Sequence, residues 1–147
     1  MKTILMLAAG AVLAAGPAEA APSRKAPPKP EWVRVGSYVD GGPVEVDKSS
    51  IFTSQGLTRA WWRTSFAEPR HDGTVQEKQL LAIDCGEGLS TVLAAVTVDA
   101  GGAVIDDIRE AESAALSRLG PATPGTTGEM VARAACDLRP RTKPGRR

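Results

Sequence analysis

The sequence predicts an α+β domain: an antiparallel β-sheet of about five to six strands, a C-terminal helix packed on one face, and one disulfide. Three observations carry this reading. Apolar and polar residues alternate with a period of two through most segments between Trp32 and Asp99. The stretch from Thr127 to Cys136 instead places Val131, Ala132, Ala135 and Cys136 along one helical face. The chain has two cysteines, Cys85 and Cys136, and opens on an export signal.

Residues 1–20 read as a secretory signal peptide. Met1-Lys2 gives a positive start, Ile4 to Gly16 is a charge-free apolar run, and Ala18-Glu19-Ala20 is a small-x-small cleavage site. The run has 13 residues, whereas a spanning helix needs about 20. There is no cysteine at the cleavage site and no twin arginine before the run. The expected location is a bacterial periplasm, the cell surface or the extracellular space. In such an oxidising compartment an isolated cysteine pair reads as a disulfide, here closing a loop of about 50 residues. A metal or redox site would want Cys-x-x-Cys spacing or more than one histidine.

Formal charge is +1, from 18 Lys and Arg against 17 Asp and Glu. That balance exerts no global pull on nucleic acid. Residues 21–30 hold four prolines and three basic residues and read as an extended linker. Residues 139–147 hold five basic residues and two prolines and read as a disordered basic tail. The folded domain is expected over residues 31–138.

The elements follow in order. Trp32 to Tyr38 alternates, with Val33 and Val35 on one face and Trp32 and Arg34 on the other. After the turn Asp40-Gly41-Gly42-Pro43, a short strand aligns Val44 and Val46. Ile51 and Phe52 read as an anchor behind a tight turn, and Gln55-Gly56 signals another turn. Leu57 to Phe66 is the clearest strand. Ala60, Trp62, Thr64 and Phe66 suit a core, and Arg59, Trp61, Arg63 and Ser65 suit solvent or a partner. Glu68 to Thr74 is a hairpin loop. Gln76 to Cys85 aligns Leu81, Ile83 and Cys85, and Thr91 to Asp99 aligns Val92, Ala94, Val96 and Val98. Asp106 to Leu119 admits two readings. It is a helix with Ile108, Ala111, Ala115 and Leu119 as its stripe, or a strand running on to about Arg109. The final helix has Thr126 or Thr127 as cap and Glu129 in its first turn. Cys136 would tie it across the sheet to the strand ending at Cys85.

These residues resemble the surface-adhesin protein E-like family of secreted bacterial proteins. The resemblance rests on Trp32-Val33 opening the domain, Val44-x-Val46-Asp47 followed by Ser50-Ile51, and the long strand through Trp61-Trp62. It continues through Lys78-x-Leu80 to Asp84-Cys85, Pro124-Gly125-Thr126 with Gly128-Glu129, and Ala135-Cys136. It covers most of residues 31–136. It implies an antiparallel sheet backed by a C-terminal helix with Cys85 bonded to Cys136. It also implies binding to other proteins, since the family takes its name from an adhesin that recognises host matrix proteins. The Pro-rich linker, the basic tail and the alanine-rich Glu110 to Leu119 segment depart from the family pattern.

No catalytic constellation stands out. His71, the only histidine, sits in a turn beside Asp72 without a nucleophile in sequence context. Asp106-Asp107 lacks the twelve-residue calcium-loop pattern. Gly86-x-Gly88 and Gly101-Gly102 read as hairpin glycines without a phosphate-loop lysine. No serine occupies a Gly-x-Ser-x-Gly elbow. The chain is therefore read as a non-enzyme without cofactor or metal. The binding candidates are Arg59, Trp61 and Arg63 on one strand face, extended by Trp32 and Arg34 if their strand lies nearby. The plainer alternative is that Trp61 packs under a loop and the arginines only solubilise. Expected partners are a protein or polysaccharide ligand, with no nucleic acid, no transmembrane segment, and a monomer or homodimer as the working form. A periplasmic inhibitor or envelope-maintenance factor acting on a cell-wall hydrolase is the second functional reading.

Overall fold

Alternation between Trp32 and Asp99 does resolve into antiparallel strands, and turn-forming residues set their ends. The structure, a computed structural model, describes residues 28–140. The expected export signal, most of the expected linker and most of the expected basic tail lie outside the described residues. The strands are β1 (Trp32–Ser37), β2 (Pro43–Asp47), β3 (Phe52–Ser54), β4 (Leu57–Ser65), β5 (Gln76–Asp84), β6 (Leu89–Val98), β7 (Val104–Arg109) and β8 (Gly120–Pro121). Two α-helices, α1 (Glu112–Leu116) and α2 (Thr127–Leu138), complete the described residues. The sheet order is β1-β2-β4-β5-β6-β7, with β3 beside β4 and β8 beside β6. β2 and β3 share one edge of β4, joined through a 3-10 turn at Lys48–Ser50. Asp47 organises that turn. Its Oδ1 accepts from Glu31 N, Ser49 N and Ser49 Oγ at 2.8, 3.0 and 2.6 Å. The β3–β4 hairpin closes on Gln55 (φ 53°) and Gly56 (φ 79°). Two successive positive φ angles are what a two-residue turn matched to the twist of a hairpin requires.

One face of the sheet carries the core. Val44, Val46, Ala60, Trp62, Leu81 and Ile83 are buried there against Val131 and Ala135 of α2. Ala132, Cys136 and Val35 pack on the same cluster while partly exposed. This is the helical stripe expected over residues 127–136. Thr126 caps the helix: its hydroxyl accepts from Glu129 N at 3.4 Å, and the Glu129 carboxylate accepts from Gly125 N at 2.7 Å. The first bond satisfies a donor that the helix start leaves free, and the second ties the preceding loop to the first turn. Cys85, just past β5, is bonded to Cys136, in the last turn of α2, with Cα atoms 5.8 Å apart. A smaller cluster of Ala82, Leu93 and Ala115, with Leu57, Leu80 and Leu116 beside it, forms where α1 lies against the opposite face.

Two expectations are corrected and one open choice is decided. Ile51 is buried as an anchor, but its neighbour Phe52 is 51% exposed, because β3 turns that side chain away from the core. Val92 does not align with Ala94, Val96 and Val98. A bulge leaves Leu93 without a partner between the pairs Leu80↔Ala94 and Leu81↔Val92. One inserted residue reverses which face each side chain takes, so Leu93 is buried and Val92 is exposed. Between Asp106 and Leu119 the strand reading holds as far as Arg109, and the helix is confined to Glu112–Leu116. Ile108 therefore lies on β7, not on a helical stripe. β7 forms the outer edge of the sheet and is exposed at each of its six positions.

The loop from β1 to β2 shows a close approach between segments. A Cβ built on Gly42 would lie 1.8 Å from the carbonyl oxygen of Ser65 at the end of β4. Backbone cannot swing aside as a flexible side-chain end can. Gly42→Ala is expected to lower unfolding free energy by about 1–3 kcal/mol, measured by urea denaturation. Parental stability would show that the loop relaxes freely.

Candidate functional site

The face opposite α2 is built from alternate residues of six strands, and the ladder registers place them in rows. One row runs Arg34↔Glu45↔Arg63↔Lys78↔Val96↔Asp107 across six strands. The neighbouring row contains Trp32↔Asp47 on one side and Trp61↔Leu80↔Ala94↔Arg109 on the other. Four of the five sequence candidates, Trp32, Arg34, Trp61 and Arg63, thus share one region of one face. They are brought there by the pairing of β1 with β2 and of β2 with β4.

Arg63 is the hub of this region. Its Nε donates to Glu45 Oε2 at 2.7 Å, and its guanidinium carbon stands 4.2 Å from the centroid of the Trp32 ring. A guanidinium over an indole face is held by the ring quadrupole, and the Glu45 carboxylate fixes its plane. Arg63, Glu45, Trp32 and Trp61 are all half-buried, so the cluster is partly desolvated and rigid. Trp61 is further fixed through its backbone N–H, which donates to Ser50 Oγ at 2.9 Å. Arg34 is exposed, and its Nη2 donates to Ser37 Oγ at 3.0 Å. Among the described residues, neither Arg34 nor Lys78 has a carboxylate within ion-pair distance. The region therefore presents two uncompensated cations beside two indoles.

The fifth candidate behaves differently. Arg59 points from the same face of β4, yet it is buried beneath α1. It donates to Ser54 O at 3.0 Å and to the Glu112 carboxylate, and it stands 5.7 Å from the Phe52 ring centroid. It is not part of the open cluster.

With this geometry in view, the comparison with known families is direct: the family model described as surface-adhesin protein E matches residues 32–137. The chain belongs to the surface-adhesin protein E family. No curated protein and no solved structure matches it. The match spans the whole sheet from the first residue of β1 and nearly all of α2, both cysteines included. No helix among the described residues is long and apolar enough to cross a membrane.

In this surface-adhesin E member the residues weighed for catalysis lie apart from the Trp–Arg cluster. His71 is exposed at the tip of the β4–β5 loop. Next to it, Asp72 Oδ1 accepts from Thr74 N at 2.9 Å, and that hydrogen bond chiefly holds the Asp72 carboxyl below its ordinary value of 3.8. A depressed carboxyl stabilises the folded loop above its unfolded pKa and loses that contribution as pH falls through the folded one. The Thr74 amide is therefore expected to titrate with a midpoint below 3.8 in an NMR series, and the step should vanish in Asp72→Ala. A midpoint at or above the ordinary value would remove the turn as its cause. Asp106 and Asp107 are exposed on β7, and Asp107 pairs with Arg109 at 3.0 Å. A separate groove of about 360 Å³ runs beside the disulfide, lined in part by Asp84, Glu129, Arg133 and Asp137.

Two contributors were missed from the sequence. Glu45 lies between the two valines of β2, and Lys78 lies two residues before Leu80 on β5. Each stands directly opposite Arg63 in the ladder. Only the pairing register, which depends on long-range contacts, identifies them.

Proposed function

We propose that the chain is an exported, non-enzymatic binding protein that holds a protein or envelope polymer on the open face of its sheet, through Trp32, Arg34, Trp61 and Arg63. The observation that supports it is the ordered stack of Arg63 on Trp32, braced by Glu45, on a face that α2 leaves free. Aromatic and arginine side chains carry a disproportionate share of interface energy, because they bury large area while losing little conformational freedom. Holding them in place before contact lowers the ordering cost of binding. The uncompensated Arg34 and Lys78 favour an anionic surface as the partner and make association sensitive to salt.

Saturable binding to immobilised matrix-protein preparations and to purified envelope polysaccharide tests this reading. Trp61→Ala is expected to weaken capture roughly tenfold or more, while the melting temperature moves by only a few degrees. Equal affinity of variant and parent would remove the face from the site.

A further inference from the structure

Arg59 poses a problem that the open cluster does not solve. Its side chain is 7% exposed, and a buried guanidinium is costly unless paired. Its charge partner is Glu112, whose own side chain is 53% exposed. Glu112 is the first residue of the five-residue α1, whose N-cap, Ala111, makes no side-chain capping bond. α1 is held mainly by Ala115 and Leu116 against β6. A fixed, buried cation is therefore neutralised by a carboxylate that is half in water and attached to a weakly anchored turn.

The surroundings of Arg59 have the form of a ligand site. Phe52, Arg59, Leu80, Leu93 and Glu112 line an open groove of about 370 Å³. That is near the lower end of volumes typical for small-molecule sites, the size of one amino-acid residue and its flanks. Leu80 and Leu93 give it an apolar side, Ser54 and Gln55 add polar lining, one end carries the guanidinium, and the half-exposed Phe52 ring forms the rim.

We infer that this groove is a carboxylate site: it takes an apolar amino-acid carboxylate, such as the C-terminal residue of a peptide, with Arg59 on the carboxylate and Leu80, Leu93 and Phe52 on the side chain. Glu112 occupies the carboxylate position when no ligand is present, and the ligand displaces it. The planar fork of Arg59 suits a carboxylate better than a single point charge would. The aliphatic floor selects a carboxylate with an apolar neighbour over free acetate. This site adds to the open-face reading and does not depend on it, because none of its residues belongs to the Trp32–Arg63 stack.

N-acetyl-leucine and N-acetyl-leucinamide serve as probes, followed by NMR on the purified protein through the Arg59 Nε–H and Phe52 ring signals. The acid is expected to shift both signals saturably, and the amide to shift neither. Glu112→Gln, which removes the competing charge but keeps an amide of similar shape, is expected to tighten the acid roughly five- to tenfold. Phe52→Ala is expected to weaken it with an unchanged melting temperature. Arg59 is left intact, because its loss could unfold the α1 end of the sheet. Equal response to acid and amide would overturn the site. So would a Glu112→Gln protein that melts lower yet binds the acid no more tightly, since the ion pair would then serve only to hold α1.

Discussion

Removing the Cys85–Cys136 bond, by alanine at both positions, is expected to lower unfolding free energy by about 4 kcal/mol. The bond joins residues 51 apart in sequence, and a crosslink of that span restricts the unfolded chain far more than the native one. The loss is a large fraction of the 5–15 kcal/mol that holds a typical domain. It also falls on the contact that α2 makes with the sheet, because Val131 and Ala135 bury their side chains about two turns and one turn before the end of that helix. Urea denaturation of the oxidised parent and the double variant checks this. A difference under about 1 kcal/mol would mean that apolar contacts alone seat α2. A reducing agent should reproduce the effect in the parent and do nothing to the variant.

The second large effect is expected at Trp62, and the contrast with its neighbour is the informative part. Trp62 is buried between β2, β5 and α2, and Trp62→Ala should cost roughly 3–5 kcal/mol through lost area and a cavity. Its indole N–H meets no acceptor among the described residues. Trp62→Phe keeps most of the bulk and removes that orphan donor, so it should cost much less than the alanine change. Trp61→Ala lies on the open face and should leave stability nearly intact while reducing binding. Thermal denaturation of the three variants separates the faces. Equal destabilisation by Trp61→Ala and Trp62→Ala would contradict the assigned orientation of β4.

The two tryptophans also show what could be read from the chain alone. On a regular strand, adjacent residues must face opposite ways, so Trp62 inward and Trp61 outward followed from spacing. The valines of β2 and the stripe of α2 were legible for the same reason. Legibility ended where the period broke or where a distant segment intervened. The bulge at Leu93 shifted the phase of β6 without any glycine or proline to announce it. Arg59 looked like a solvent-facing cation, because the residue that covers it, Glu112, lies 53 positions further on. Phe52 reads as an anchor beside Ile51, and only its place on the short β3 exposes it. Within the candidate site the residue types were legible, but the stack of Arg63 on Trp32 needed β2 between their two strands.

The outermost strand has a consequence for behaviour at high concentration. Among the described residues β7 ends the sheet, leaving a row of its backbone donors and acceptors without a neighbouring strand, and Val104, Ile105 and Ile108 project into water beside it. Such a border invites runaway stacking of identical molecules. Its centre is Asp106-Asp107, and symmetric antiparallel docking of two copies about that dipeptide would crowd four acidic groups together. Like charges placed opposite each other oppose that union, so the margin that could nucleate fibrils carries its own deterrent.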